Sequence, residues 1–212
     1  MSISLSDFLT AWYGPSISPP MPTSAEAEWL PEPLKEWYVL SGQWNNALLA
    51  TRRIRNPHQI DIRDNLAVFM EDATGDWHWA FRTDDPNLVF DAELRGSWEL
   101  CDEGLAELLR HTALSEATFN ARSWRECGHV EEASLPAILE PMTQVAFGGL
   151  RWPAPGGRVY MNDSLLAEVL PAMKPGAPRE AYAGYFYVRV ASPVRERLDF
   201  LDQVDGVDWL RK

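Results

Sequence analysis

The 212-residue sequence has few cysteines and few histidines, and both shortages limit the chemistry that the chain can perform. Its two cysteines, Cys101 and Cys127, lack the spacing of a zinc or redox motif and are too few for a disulfide framework, although the sequence leaves a single bond between them open. The four histidines are scattered, and no two have the HxxxH or HxH spacing of metal ligands. We therefore expect neither a metal nor a cofactor.

Basic residues are also in short supply, because 19 Lys and Arg stand against 31 Asp and Glu and give a formal net charge of -12 at pH 7. Binding to the phosphates of a nucleic acid needs clustered Lys and Arg, and the sequence has no extended cluster of this kind. An anionic membrane surface is disfavoured for the same reason. A basic partner protein would instead be attracted, chiefly through a faster rate of association.

Long apolar runs and common catalytic motifs are missing too. No run approaches the roughly 20 apolar residues that a membrane-spanning helix needs, and the N-terminal stretch MSISLSDFLTAWYG lacks the basic start and apolar segment of a signal peptide. The glycine patterns of phosphate-binding loops and the GxSxG pattern of serine hydrolases do not occur. The sequence predicts a cytoplasmic protein without a phosphate-binding loop or a serine-hydrolase motif.

Tryptophan, by contrast, is abundant, and two of the ten lie in the segment LAVFMEDATGDWHWAFR at residues 66–82. Its first five residues form an unbroken apolar run, which predicts a buried strand. Gly75 can adopt the positive φ of a turn, and Trp77, Trp79 and Phe81 then alternate along a second strand. The pattern predicts a hairpin with a buried aromatic face and with its turn carboxylates in water.

Helical patterns precede and follow this hairpin without a regular βαβ rhythm. Leu5, Phe8, Leu9 and Trp12 share one helical face, and Gly14 ends that helix. Further helices are predicted at LPEPLKEWYVLSG, from about residue 103 to 119, and after Ser192-Pro193, while GYFYVRV predicts a strand. This order predicts an α+β fold, a central antiparallel sheet with flanking helices and a helical N-terminus.

Carboxylates gather around the hairpin, in a region whose only Arg or Lys residues are Arg82 and, further on, Arg95. Because like charges held together cost stability, the cluster favours an acidic surface for a basic partner, with Tyr185 and Tyr187 as aromatic anchors. Alternatively, Trp77 and Trp79 could stack on sugar rings beside catalytic carboxylates. A solvated turn is an equal explanation for any single acid. The predicted partner-binding carboxylates are Glu71, Asp72, Asp76, Asp84, Asp85, Asp91 and Glu93.

The order of these features resembles the SUKH superfamily of bacterial immunity proteins and fungal regulators of cell-wall assembly. The resemblance covers residues 1–120, and residues 125–212 are predicted to extend the same sheet and add a C-terminal helix, which makes 1–212 a single domain. Gln43 stands where many members have a second glycine. The residues that carry the resemblance are Leu30-Pro31, Trp37-Tyr38, Ser41-Gly42, the run LAVFMEDATGDWHWAF, Asp84-Asp85-Pro86, and Trp98 followed by the Leu105–Leu109 helix.

The resemblance implies a non-enzymatic role, with no catalytic residues to transfer. It implies an immunity protein that binds and neutralises a cognate toxin, often a nuclease or deaminase domain delivered between competing bacteria. The acidic composition agrees with this role, because an acidic protein can cover a basic toxin's active site in place of phosphate. A regulatory adaptor, as the fungal members suggest, stays open as well.

Overall fold

The computed structural model describes residues 4–20, 24–44, 48–145, 152 and 155–212. The chain forms two compact units, Ile3–Glu116 and Ala117–Lys212, which we call the N-terminal and C-terminal units. Each unit contains helical segments and its own antiparallel sheet, so the predicted α+β class is confirmed.

Two helices open the N-terminal unit. Helix α1, Leu5–Tyr13, begins where the Ser4 hydroxyl accepts a 3.1 Å hydrogen bond from the backbone N–H of Asp7, and it ends at Gly14 with φ 84°. Its predicted apolar face is buried and consists of Leu5, Phe8, Leu9 and Trp12. After a short 3-10 helix, Ala25–Ala27, helix α2 follows, with proline in its first turn and Leu34, Trp37 and Leu40 buried. Helix α2 spans Glu32–Ser41.

The strands of the N-terminal unit are β1 (Arg52–Ile54), β2 (Asp61–Arg63), β3 (Leu66–Asp72), β4 (Trp77–Arg82), β5 (Val89–Glu93) and β6 (Glu99–Leu100). They form one sheet in the order β1-β3-β4-β5-β6, with β2 also paired to β3. The predicted hairpin is β3 and β4, and Gly75 has φ 78° in the turn between them. Phe69, Trp79 and Phe81 are buried, so the predicted aromatic face is confirmed for these rings.

The boundary between the units falls within helix α3, Leu105–Asn120. The elements beyond it are β7 (Ser123–Glu131), a 3-10 helix (Glu132–Ser134), α4 (Leu135–Leu139), β8 (Thr143–Gln144), β9 (Arg158–Met161), β10 (Leu166–Lys174), β11 (Ala177–Ser192), a 3-10 helix (Arg195–Gln203) and β12 (Leu210–Arg211). The six strands form a second sheet in the order β12-β7-β11-β10-β9-β8. Its apolar core includes Val130, Ile138, Leu198 and Leu201.

The C-terminal half differs from the prediction in two respects. Its strands do not extend the first sheet, because β7, β10 and β11 pair with one another and bury their apolar side chains in a separate core. The segment after Ser192-Pro193 is a 3-10 helix and not an α-helix. Leu198 and Leu201 are buried there as predicted, whereas Val194 is exposed. Residues 1–212, which the sequence predicts to be a single domain, contain these two compact units.

Candidate functional site

Asp72, one of the predicted partner-binding carboxylates, is buried at the end of β3 with 5% of its surface exposed. It accepts hydrogen bonds from the hydroxyl and backbone N–H of Thr74 and, at 2.8 Å, from the backbone N–H of Trp77. Burial acts to raise the pKa of Asp72, but these hydrogen bonds outweigh it and lower the pKa below its ordinary value. Asp72 therefore holds the hairpin turn together and does not present its charge to a partner.

Glu71 and Asp91 are not open to a partner either. Glu71 lies 3.0 Å from the guanidinium of Arg53 and 2.7 Å from that of Arg55, so two cations compensate its charge. Asp91 is 3% exposed and lies in β5 directly opposite Trp79 of β4. Pairing of Glu71 and burial of Asp91 therefore speak against a docking role for these two acids, and that role stays a prediction.

The remaining predicted carboxylates are exposed, but the sheet divides them between its two ends. Asp76 precedes β4 and Glu93 ends β5, and these strand ends are neighbours. Asp84 and Asp85 follow the opposite end of β4, about 20 Å away at the usual rise per strand residue. Asp84 also accepts two hydrogen bonds, of 2.8 and 2.6 Å, from Arg82. The predicted cluster is therefore not one surface.

The two predicted aromatic anchors lie on β11, in the C-terminal unit. The hydroxyl of Tyr187 donates a 2.8 Å hydrogen bond to Glu126, and burial, followed by this carboxylate, raises the pKa of Tyr187. Tyr187 is thus engaged within its own unit. Tyr185 stacks on Tyr182 with 4.3 Å between ring centroids, and the nearby charge of Glu131 raises the pKa of Tyr185.

The two tryptophans of the carbohydrate hypothesis differ in burial. Trp79 is 3% exposed, and the Arg52 guanidinium lies 5.9 Å from its ring centroid, so the ring is not accessible to a sugar. Trp77 is partly exposed. Carbohydrate binding therefore stays a prediction, and of the two tryptophans only Trp77 is exposed enough to stack on a sugar ring.

A different surface emerges at the edge of the first sheet. Every residue from Glu93 to Leu100 is exposed, and this stretch ends in β6, the terminal strand. Three large apolar side chains stand among its carboxylates, with Leu94 54%, Trp98 37% and Leu100 55% exposed. The exposed carboxylates are Glu93, Glu99 and Asp102. We call residues 93–102 the acidic edge.

The acidic edge lies on the unit that carries nearly all of the net charge. Residues 3–116 contain 19 acidic and 8 basic residues, and residues 117–212 contain 12 acidic and 11 basic residues. The net charge is therefore -11 on the first stretch and -1 on the second. The segment ELRGSWELCD mixes acidic and apolar residues with Arg95, and this local pattern does not reveal that the segment lies at a sheet edge.

Comparisons with protein-family models, with curated proteins and with solved structures find no match. Across the part of the chain that the structure describes, no group of three or more His, Cys, Asp or Glu residues is placed to hold a metal ion. None of the helices within those residues has the length and apolar character to cross a membrane. Neither Cys101 nor Cys127 forms a disulfide.

Proposed function

We propose that this chain is a non-enzymatic, cytoplasmic immunity protein that binds and neutralises a basic toxin through its acidic edge. The observation that supports the proposal is the presence of exposed Leu94, Trp98 and Leu100 among carboxylates on the strongly negative N-terminal unit. The SUKH-like order of sequence features supplies the toxin-system context. A regulatory adaptor would use the same surface, and a toxin assay separates the two.

The composition of the acidic edge suits a protein interface. Protein interfaces combine an apolar centre with a polar rim, and tryptophan is among the side chains that contribute most to binding energy. Here Trp98 would supply the central contact, and Glu93, Glu99 and Asp102 would meet Lys or Arg of the partner. The negative field of the unit would accelerate the encounter, most strongly at low ionic strength.

A growth assay tests this function. We expect the chain to restore growth to cells that express the C-terminal domain of a large secreted protein encoded beside its own gene. The variant Glu93→Gln/Glu99→Gln/Asp102→Asn should lose most of this protection, because the rim charges are removed.

The matched control is Glu26→Gln/Glu28→Gln/Glu36→Gln, which removes three exposed carboxylates of the same unit outside the acidic edge. This control should protect as well as the unaltered chain does. Failure of the unaltered chain to protect would contradict the immunity function. Equal protection by both triple variants would contradict the role of the acidic edge.

A further inference from the structure

The C-terminal unit contains an open cleft of about 460 Å³ that the proposed function does not use. One wall is formed by α4 and the 3-10 helix before it, and the other by the end of the second 3-10 helix and the residues after it. Ala137, Phe200 and Val204 give the cleft an apolar lining, and Glu140 and Asp205 add carboxylates.

The local sequence explains why an opening exists here. Leu135 and Ile138 of α4 point into the core, and Leu198 and Leu201 of the opposite wall do the same. Three of the four residues that line the cleft on the α4 side are small, namely Ala133, Ser134 and Ala137. Side chains of this size do not fill the space between the walls.

Carboxylates outnumber cations in the two sequence segments that line the cleft. Residues 131–140 and 199–208 contain seven carboxylates and no Lys or Arg, although the whole stretch 117–212 is almost neutral. Asp202 is compensated by Arg125 and Arg211. Among the described residues, neither Glu140 nor Asp205 has a Lys or Arg within ion-pair distance. The lining thus combines apolar area with two uncompensated negative charges.

We propose that this cleft binds an arginine side chain from an extended segment of a partner protein. The aliphatic stem of arginine would pack on Ala137 and Val204, and its guanidinium would contact Glu140 and Asp205. Phe200 also lines the cleft, and stacking of a guanidinium on its ring would favour arginine over lysine. The proposal does not depend on the toxin-binding function of the acidic edge.

The test is an NMR titration of the isotope-labelled full chain with the peptide acetyl-Gly-Ala-Arg-Ala-Gly-amide. We expect shift changes concentrated in residues 133–140 and 200–205. The same peptide with citrulline, which keeps the shape of arginine but lacks the charge, should bind about tenfold more weakly, since charged hydrogen bonds are roughly twice as strong as neutral ones.

The variants for this titration alter exposed residues only, so a change in peptide affinity does not arise from loss of a buried contact. Glu140→Gln/Asp205→Asn should weaken binding of the arginine peptide about tenfold. Ala137→Leu, which narrows the cleft with a branched side chain, should weaken binding further. The matched control Glu132→Gln/Asp199→Asn removes two exposed carboxylates outside the lining and should leave the affinity unchanged.

Three results would overturn the proposal. The first is a set of shift changes outside the cleft, and the second is equal binding of the arginine and citrulline peptides. The third is binding of free arginine amide as tight as that of the peptide, which would indicate a small-molecule site and not a site for a protein segment. Amide spectra of each variant establish that its fold is retained.

Discussion

The carboxylate of Asp72 accepts a 2.8 Å hydrogen bond from the backbone N–H of Trp77, and this bond joins the two ends of the β3–β4 turn. We expect Asp72→Ala to lower the free energy of unfolding by about 2–4 kcal/mol, since buried hydrogen bonds to a charged group contribute about 1.5–3 kcal/mol each. The matched control Asp76→Ala removes a carboxylate of the same turn whose hydrogen bond from the Thr74 hydroxyl is exposed to solvent, and it should change stability by only about 0.5 kcal/mol. Urea denaturation followed by tryptophan fluorescence measures both.

Asp72 should also make stability depend on pH. Its pKa is lower in the folded chain than its ordinary value of 3.8, so it stabilises the fold fully above that value. This contribution is lost as the pH falls through the folded pKa. Between about pH 5 and pH 2, the free energy of unfolding of Asp72→Asn should therefore decline less than that of the unaltered chain. Parallel decline of the two proteins in a pH series of urea melts would contradict this role.

Glu116 is the centre of a buried polar cluster in the N-terminal unit. It is fully buried, lies 2.9 Å from the guanidinium of Arg52, and accepts a 2.9 Å hydrogen bond from the backbone N–H of Thr51. Glu116→Ala should cost about 3–5 kcal/mol, because it leaves a cation without its buried counter-charge. Arg52→Met should cost a similar amount, and the double variant clearly less than the sum of the two. A double-mutant cycle in denaturant provides the check, and strict additivity would contradict direct coupling.

Arg189 of β11 binds the C-terminal end of helix α3. Its guanidinium donates to the carbonyl oxygens of Thr118 at 3.2 Å and Phe119 at 2.9 Å, and it lies 4.4 Å from the ring centroid of Trp124. Lysine lacks the planar fork that makes these contacts together, so Arg189→Lys should cost about 2 kcal/mol. Exposed Arg197→Lys is the matched control and should be close to neutral. Faster hydrogen exchange at the end of α3 should accompany the loss, and unchanged exchange there would argue against the role.

The parts of the fold that depend on local sequence were predictable. The spacing of Leu5, Phe8, Leu9 and Trp12 identifies one face of α1, because helical periodicity is a property of neighbouring residues. The hairpin was predictable for the same reason. The division into two sheets was not, since β7 and β11 pair across more than 50 residues of sequence and no local pattern encodes their register.

The candidate site was less predictable than the fold. An aspartate in a turn either faces water or binds turn N–H groups, and the letters around Asp72 fit both outcomes. Glu71 is neutralised by Arg53 and Arg55 because β1 pairs with β3, a pairing that the sequence did not reveal. The acidic edge became visible only once β6 was known to be the terminal strand.

That terminal strand also bears on self-association. An open strand edge is a template for another copy of the same chain, and carboxylates beside it oppose such pairing. Strand β6 is only two residues long, which leaves little backbone for a second copy to pair with, and a pairing centred on Glu99 would place two like charges directly opposite each other. The short strand and its carboxylates therefore oppose edge-to-edge pairing between copies of the chain, which favours a chain that does not self-associate at high concentration.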